Sequence, residues 1–287
     1  MTATVSREGT LTETDAHDAV SPQPDLASLV ASRRWLHRSD PFPHVVARDV
    51  FTPAFAAELE GAFNAILGRG LDAGPGGFSR SIPGYDAFGH TFRAGARWPF
   101  SFFVSRTWHD LLCDVAGVRG SGQVFCGLHH HLPRSHSGSI HNDLNPGWFQ
   151  AAAGPGEIVV SDQRKVVYAS GEVLVPGVTP VGAVRGIAVL YFLNNGPWRP
   201  GDGGEIGLYS SYGDAIDRPP VAVAPHDNSL VLFECTPHSL HGFIHNRRAP
   251  RNSLIMWVHR PRADVEARWG ARAIIDWPKG RGGSPVR

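Results

Sequence analysis

The stretch Leu230-Val231-Leu232-Phe233-Glu234-Cys235-Thr236-Pro237-His238-Ser239-Leu240-His241-Gly242-Phe243 joins a strongly apolar run to a turn and then to a second short run. Short apolar runs bounded by turn residues are typical of β-strands. From Gly122 onward such runs recur at a spacing of roughly 8–12 residues, and 33 glycines and 23 prolines supply many turns. The pattern predicts a mainly β fold of the sandwich or jelly-roll type rather than a helical bundle.

The first part of the chain has a different pattern, which favours helices. Thr52-Pro53 is a good helix start, with threonine as the N-cap and proline at the first helical position. Apolar residues then recur on one face, and the predicted helix ends near Gly68. A second helix is predicted over 105–116, and a weak helical pattern covers 25–37. We therefore expect helices to flank the β core.

The composition excludes several classes of protein. With 42% hydrophobic and 18% charged residues, the chain can bury a sizeable core. A formal net charge of +1 gives no basic field for sequence-independent nucleic-acid binding, and no apolar run reaches the roughly 20 residues of a membrane span. Three cysteines without CxxC spacing argue against a disulfide scaffold or a zinc knuckle. We expect a cytoplasmic protein without a nucleic-acid or membrane partner.

A metal site is suggested by His141-Asn142-Asp143. Residues i and i+2 of an extended segment project to the same side, so this imidazole and this carboxylate can bind one ion. One further histidine would complete a facial triad of two histidines and one carboxylate, which leaves positions open on Fe(II). On its own the pair is a weak signal, because a surface turn gives the same sequence.

Three histidines compete for the third position: His238, His241 and His245. His238 follows a proline in the predicted turn. His241 opens the next extended run, where the backbone is held more rigidly, and we therefore favour His241 as the third metal ligand.

If residues 251–259 form a strand, Arg251 and Ser253 share one of its faces. A buried guanidinium needs an anionic partner, and a neighbouring hydroxyl adds a further donor. The pair suits the far carboxylate of 2-oxoglutarate. Lysine occurs only at Lys165 and Lys279, so an arginine is the natural anchor in this region.

The run His129-His130-His131 lacks the cysteines or carboxylates of a zinc finger. Because consecutive strand residues alternate between faces, at most His129 and His131 converge. We expect one of the two to enter the pocket, and we favour His131 as a cosubstrate contact.

Six motifs in order resemble the prolyl-4-hydroxylase-like branch of the Fe(II)/2-oxoglutarate-dependent oxygenases. They are His141-x-Asp143, Val189-Leu190-Tyr191-Phe192-Leu193-Asn194-Asn195, Trp198 with Gly203-Gly204-Glu205-Ile206, Leu230-Val231-Leu232-Phe233-Glu234, Ser239-Leu240-His241-Gly242, and Arg251-x-Ser253-Leu254. The resemblance covers roughly residues 40–262. One departure is Phe192, which stands where some members of the branch have a cosubstrate-binding tyrosine, while Tyr191 would face the other side of a regular strand.

The resemblance implies a double-stranded β-helix, or jelly-roll, core with flanking α-helices. It implies His141, Asp143 and His241 as iron ligands, and Arg251 with Ser253 at the 2-oxoglutarate carboxylate. The expected cofactor and cosubstrate are Fe(II) and 2-oxoglutarate, with ascorbate as a candidate stimulant.

The implied activity is a dioxygenase that hydroxylates a small-molecule or amino-acid-derived substrate of a specialised pathway while 2-oxoglutarate is decarboxylated to succinate. Desaturation, ring formation and epimerisation are related outcomes. Two alternatives stay open: a peptidyl or protein residue hydroxylase with the same chemistry, and a cupin-like metal-binding protein that does not use 2-oxoglutarate. A homodimer is a candidate assembly.

The expected domain organisation is a disordered leader over 1–24, a single catalytic domain over 25–270 and a C-terminal tail over 271–287. Long loops in compact domains are usually functional, so the segment 144–186, with Trp148 and Phe149, is interpreted as an insert that forms a flap over the metal.

Overall fold

The computed structural model describes residues 25–32, 34–74, 76–80 and 85–277. The predicted leader over 1–24 lies outside these residues. The helices are α1 (Leu26–Leu29), α2 (Pro53–Leu67), α3 (Arg106–Ala116) and α4 (Arg262–Trp269), with 3-10 turns at Phe100–Val104 and Ala271–Ala273. The strands are β1 (Leu36–Arg38), β2 (His44–Arg48), β3 (Phe88–Thr91), β4 (Gln123–His131), β5 (Pro146–Gln150), β6 (Val159–Val160), β7 (Pro180–Phe192), β8 (Ile206–Tyr209), β9 (Val221–Val223), β10 (Ser229–Glu234), β11 (Leu240–Phe243) and β12 (Arg251–Arg260).

Two sheets form the core. The larger sheet has the order β1-β2-β10-β7-β12-β4-β3, with β5 paired to β7 and β6 paired to β4. The smaller sheet has the order β11-β8-β9. Apolar side chains of both sheets, such as Phe192, Val231 and Leu208, form one buried cluster. Two facing sheets with helices on the outside confirm the predicted mainly β jelly-roll fold.

The helices cover the outer face of the larger sheet. Phe55, Leu59 and Phe63 lie on one face of α2, and they are buried in a cluster that includes Tyr191 and Leu230 from the sheet. Thr52 accepts a hydrogen bond from the Phe55 backbone N–H, so the predicted N-cap is confirmed. The outer cluster fixes the sheet from behind and leaves its inner face to the smaller sheet.

The structure differs from the sequence interpretation at both ends of the domain. The weak helical pattern over 25–37 gives only the short α1, because Val30 forms a β-bridge with Phe51 and the chain continues into β1. At the other end the packed chain extends beyond the predicted boundary at 270. The Trp277 indole donates to the Pro146 carbonyl, and Ile274 is buried.

None of the helices in the described residues is long and apolar enough to cross a membrane.

Candidate metal and cosubstrate site

Ligand atoms of His141, Asp143 and His241 lie within 4.8 Å of one another. Asp143 Oδ1 lies 3.9 Å from His141 Nε2, and Asp143 Oδ2 lies 3.4 Å from His241 Nε2. The structure therefore brings together the three residues predicted as metal ligands.

The two histidines are held by their own backbones. His141 and His241 form an antiparallel bridge, with N–H to carbonyl distances of 3.0 and 2.9 Å. Each imidazole Nδ1 lies near the carbonyl two residues earlier, at 2.8 Å from Ser139 and 3.0 Å from Ser239. A carbonyl can only accept, so each Nδ1 carries the proton and each Nε2 keeps a lone pair directed at the common centre.

The other two candidates for the third position lie elsewhere. The His245 imidazole Nδ1 donates to the Ser135 carbonyl at 2.7 Å, which fixes its ring away from the triad. His238 is exposed in the turn before β11. Among His238, His241 and His245, only His241 contacts the Asp143 carboxylate in the described structure.

Asp143 is buried and is hydrogen-bonded on both carboxylate oxygens. Arg185 Nη1 donates to Oδ1 at 2.6 Å, and Trp257 Nε1 donates to Oδ2 at 2.7 Å. Burial alone would raise the pKa of Asp143, but the Arg185 charge and the contact with His241 hold that pKa well below its usual range. The carboxylate is therefore ionised at neutral pH, and each oxygen retains a lone pair for a metal ion.

A cavity of about 290 Å³ opens beside the triad. Its polar lining includes Asp143, Arg185 and Arg251. Its apolar lining is formed by the side chains of Leu190, Ile206, Phe243, Ile255 and Trp257.

Arg251 lies at the start of β12 and is 2% exposed. Its Nη1 donates to the Ser253 hydroxyl at 2.9 Å, whereas Nε and Nη2 have no hydrogen-bond partner in the described structure. Burial lowers the pKa of Arg251 to about 10, so the group is still positively charged at neutral pH. A buried cation with two free donors requires an anion, and a carboxylate that reaches in from the cavity would provide one.

The histidine run is only partly as predicted. His129 lines the cavity. His131 does not, because its ring stacks on Phe243 at 4.0 Å and lies behind Tyr85, whose hydroxyl is 3.4 Å from His131 Nε2. Of the two histidines, His129 is thus the one that the structure places at the cavity.

Phe192 lies beside Arg251, with the guanidinium carbon 5.0 Å from the ring centroid. Tyr191 faces the opposite side, where its hydroxyl donates to Asn228, as strand alternation predicts. A hydroxyl is nevertheless present in the cavity, since Tyr85 contributes to the lining. Sequence reasoning missed Tyr85 because it lies in a glycine-rich loop that carries no periodic pattern.

Arg185 and Trp257 were also missed as site residues. The face shared by Arg251, Ser253 and Trp257 was visible in the sequence, and it places the Trp257 indole beside Asp143. Arg185 interrupts an apolar strand, which is the one signal that marks it. Its role became visible only through the register of β7, which brings it to the same end of the cavity.

The segment 144–186, which is predicted to form a flap, packs largely against the core. None of residues 146–184 lines the cavity. β5 and the first half of β7 pair with each other inside the larger sheet. Phe149 is fully buried against Tyr168, and a Cβ at Gly171 or Gly182 would meet the Trp148 ring, so both aromatic side chains pack against residues of the same segment.

Comparison with known proteins gives a match to the family model described as "2OG-Fe(II) oxygenase superfamily" over residues 177–259. None of the curated proteins matches the chain significantly. Similar solved structures include a Pseudomonas putida prolyl-4-hydroxylase, with 15% identity, TM-score 0.47, and coverage of 76% of this chain and 92% of that chain.

Two further similar structures are hydroxylases. A prolyl hydroxylase from Trichoplax adhaerens, in complex with a hypoxia inducible factor peptide fragment, has 14% identity and TM-score 0.49, and the alignment covers 75% of this chain and 83% of that one. A viral collagen prolyl hydroxylase from Paramecium Bursaria Chlorella virus-1, as a 2OG complex, has 10% identity and TM-score 0.45, with 75% and 94% covered.

The matched residues 177–259 contain β7 to β11 and nearly all of β12, and so carry the cavity residues Arg185, His241 and Arg251, together with Ser253, which binds Arg251. The predictions of the superfamily, of the enzyme class and of Fe(II) with 2-oxoglutarate are confirmed. Residues 177–259 thus match the 2OG-Fe(II) oxygenase superfamily, and the triad of His141, Asp143 and His241 agrees with a 2-oxoglutarate-dependent dioxygenase.

Proposed function

We propose that this enzyme hydroxylates a small-molecule or amino-acid-derived substrate, with Fe(II) bound by His141, Asp143 and His241. The same reaction converts 2-oxoglutarate and dioxygen to succinate and carbon dioxide, and one oxygen atom enters the substrate. Fe(II) with its cosubstrate supplies the oxidising chemistry when bound. The protein contributes the ligands, the anion site and the shape of the cavity.

The triad suits Fe(II) because it combines two neutral imidazole nitrogens with one ionised carboxylate. Each Nδ1–H donates to a backbone carbonyl, that of Ser139 or Ser239, so both Nε2 atoms are left for the metal ion. Asp143 supplies the negative charge, and Arg185 and Trp257 fix its orientation. The site is therefore arranged before an ion arrives.

The observation that carries the proposal is the free guanidinium edge of Arg251. Its Nε and Nη2 are buried without a partner, and its Nη1 is fixed by Ser253. Planar, paired donors of this kind match a carboxylate. A dicarboxylate can therefore bind Arg251 at one end while its keto-acid end reaches the triad.

The cavity supports a small substrate. Ligand pockets usually enclose about 300–1,000 Å³, and this one, at about 290 Å³, must also hold the cosubstrate. The apolar residues Leu190, Ile255 and Trp257 surround the remaining space. We infer that a compact group, rather than a bulky one, is presented for oxidation.

An anaerobic titration tests the proposal. Addition of Fe(II) and then 2-oxoglutarate to the apoprotein should produce the weak visible charge-transfer band of the chelate. The band should be lost in His141→Ala, and it should require a much higher 2-oxoglutarate concentration in Arg251→Ala. Tight metal binding without any response to 2-oxoglutarate would contradict the proposal and favour a cupin-like metalloprotein.

The substrate class is tested separately by 2-oxoglutarate turnover. Free amino acids and related small molecules should stimulate succinate formation and appear as products increased by one oxygen atom. Stimulation by proline-containing peptides, with none by small molecules, would contradict the small-substrate proposal and favour a peptidyl hydroxylase.

A further inference from the structure

A chain of buried polar contacts runs from Asp143 away from the cavity. Arg185 Nη1 donates to Asp143 Oδ1 at 2.6 Å, and Arg185 Nε donates to the Tyr168 hydroxyl at 3.1 Å. The same hydroxyl lies 2.7 Å from His259 Nε2. Tyr168 belongs to the segment between β6 and β7, which does not line the cavity. This segment therefore reaches the triad from behind.

The direction of each hydrogen bond follows from the groups involved. A guanidinium can only donate, so the Tyr168 oxygen accepts from Arg185 and the Tyr168 proton is left for His259. His259 Nε2 must then accept, which requires a neutral ring. Burial lowers the pKa of His259 to about 3, in agreement with this arrangement.

Arg185 is fixed on three sides. Its side chain is 4% exposed and lies flat on the Trp257 ring, with the guanidinium carbon 3.6 Å from the centroid. Asp143 occupies one edge of the guanidinium and Tyr168 the other. Stacking on Trp257 limits the plane of the group, and the two hydrogen bonds set its rotation within that plane. Loss of the Tyr168 acceptor would leave Nε buried and unsatisfied.

The absence of a side chain at Gly147 leaves room for the Tyr168 ring and His259. A Cβ at Gly147 would lie 2.5 Å from the Tyr168 ring and 2.8 Å from His259 Nε2. The Tyr168 ring also contacts Phe125 at 4.9 Å and Phe149 at 5.7 Å between centroids. Tyr168 is thus held in one position, with its hydroxyl oxygen accepting from Arg185 Nε.

We propose that Tyr168 is a positioning residue for the metal site, which fixes the Asp143 carboxylate through Arg185. The proposal rests on the proposed function, because it takes Asp143 as a metal ligand. It gives the segment 151–179, which contains Tyr168, a role in orienting the metal ligand Asp143.

Metal affinity of the apoprotein tests this without turnover. Tyr168→Phe removes only the hydroxyl, and it should weaken Mn(II) binding about 10-fold, since outer partners of metal ligands typically change affinity 10–100-fold. The electron paramagnetic resonance spectrum of bound Mn(II) should also change. Tyr191→Phe is the matched control, because Tyr191 is buried in the cluster beneath α2 and its hydroxyl donates to Asn228. The Mn(II) affinity of this variant should equal that of the parent.

A double-mutant cycle tests whether Arg185 transmits the effect. In an Arg185→Gln background, Tyr168→Phe should change the Mn(II) dissociation constant by less than about twofold, because the connecting group is absent. Equal Mn(II) affinity for Tyr168→Phe and Tyr191→Phe would overturn the positioning role, and so would fully additive effects in the cycle. If the parent protein did not bind Mn(II), the proposed function would be overturned together with the positioning role. The two failures can therefore be distinguished.

Discussion

The buried guanidinium of Arg251 is unfavourable in the ligand-free protein and favourable once a carboxylate binds it. Its guanidinium is buried, charged at neutral pH and bonded only to the Ser253 hydroxyl among the described residues. Burying an unpaired charge costs free energy of folding. A carboxylate at this position removes that cost, so ligand binding and stability are linked through one side chain.

Replacement of Arg251 should therefore have opposite effects on binding and on stability. Arg251→Met should raise the 2-oxoglutarate concentration needed for half-saturation by at least about 30-fold, which corresponds to about 2 kcal/mol. The same variant should raise the thermal midpoint of the ligand-free protein, because an unpaired buried charge is replaced by an apolar chain of similar size. Fluorescence titration and calorimetry measure the two effects.

The exposed residues Arg247 and Arg248 provide the controls. Their alanine variants should keep the parent's 2-oxoglutarate dependence and iron affinity. An unchanged dependence in Arg251→Met, together with a large change in either control, would show that another arginine binds the cosubstrate.

Asp143 neutralises Arg185 as well as serving the proposed metal site. Asp143→Ala should abolish Fe(II) binding and coupled turnover. It should also destabilise the metal-free protein by about 3–5 kcal/mol, because it leaves the Arg185 guanidinium buried without its anion. Urea denaturation measures the loss.

The double variant Asp143→Ala/Arg185→Leu separates the two effects. It should recover much of the stability, since no buried charge is left unpaired, but it should recover no metal binding. Substrate oxidation by Asp143→Ala at the parent's rate would contradict the triad.

At the scale of elements, two glycines in helices should respond oppositely to alanine. Gly117 ends α3 with φ of 64°, and a Cβ there would meet nothing within 4 Å. The cost of Gly117→Ala is thus conformational, about 1 kcal/mol. Gly61 lies inside α2, also with open space around a Cβ, so Gly61→Ala should stabilise by about 0.5–1 kcal/mol. Chemical denaturation of both variants checks the signs; the same sign for both would contradict the backbone argument.

Local sequence patterns predicted the elements where the pattern and the packing agree. The cap at Thr52 and the apolar face of α2 are local features, and both are observed. The continuous apolar run of β7 starts only at Gly186, but the strand begins at Pro180. Pro180, Gly182 and Arg185 break its apolar pattern, and pairing with β5 forms the first half of the strand. A pairing partner is a tertiary property that periodicity does not contain.

The same limit applies to the site. The i, i+2 spacing of His141 and Asp143 predicted that both side chains lie on one side of the chain. The turn before β11 was the reason to prefer His241 over His238. Alternation alone could not choose between His129 and His131, because both project to the same face. The choice depends on Tyr85 and Phe243, which cover His131 and come from distant parts of the chain. Arg185 likewise needed the register of β7 against β12.

For the whole molecule, buried histidines should make stability strongly dependent on pH. Burial lowers the pKa of His129 to about 4 and of His259 to about 3, and it places that of His131 well below 6.5. The unfolded chain binds protons on these rings near pH 6.5, whereas the folded protein does not. The stabilisation is therefore complete above about pH 6.5 and is lost as the pH falls toward 4.

Urea denaturation of the metal-free protein between pH 7.5 and 4.5 measures this. Near pH 5 these three rings should together bind about three more protons in the unfolded state than in the folded state, which contributes a slope of about 4 kcal/mol per pH unit. His129→Gln should remove about one of these three protons and so lower the slope by about one third. Stability that is independent of pH between 7 and 5 would show that these rings are protonated in the folded protein.

The reciprocal backbone bridge between His141 and His241 has a consequence for how such an enzyme can diversify. Residues 142–240 lie between the two histidines, and they include strands of both sheets and the connections between them. Because the bridge is formed by main-chain groups, surface loops within this interval can gain or lose residues while the two imidazoles keep their spacing. The entropy of closing a loop grows only slowly with its length. Insertions and deletions are thus a route by which descendants of this chain could acquire new substrates and keep the same chemistry.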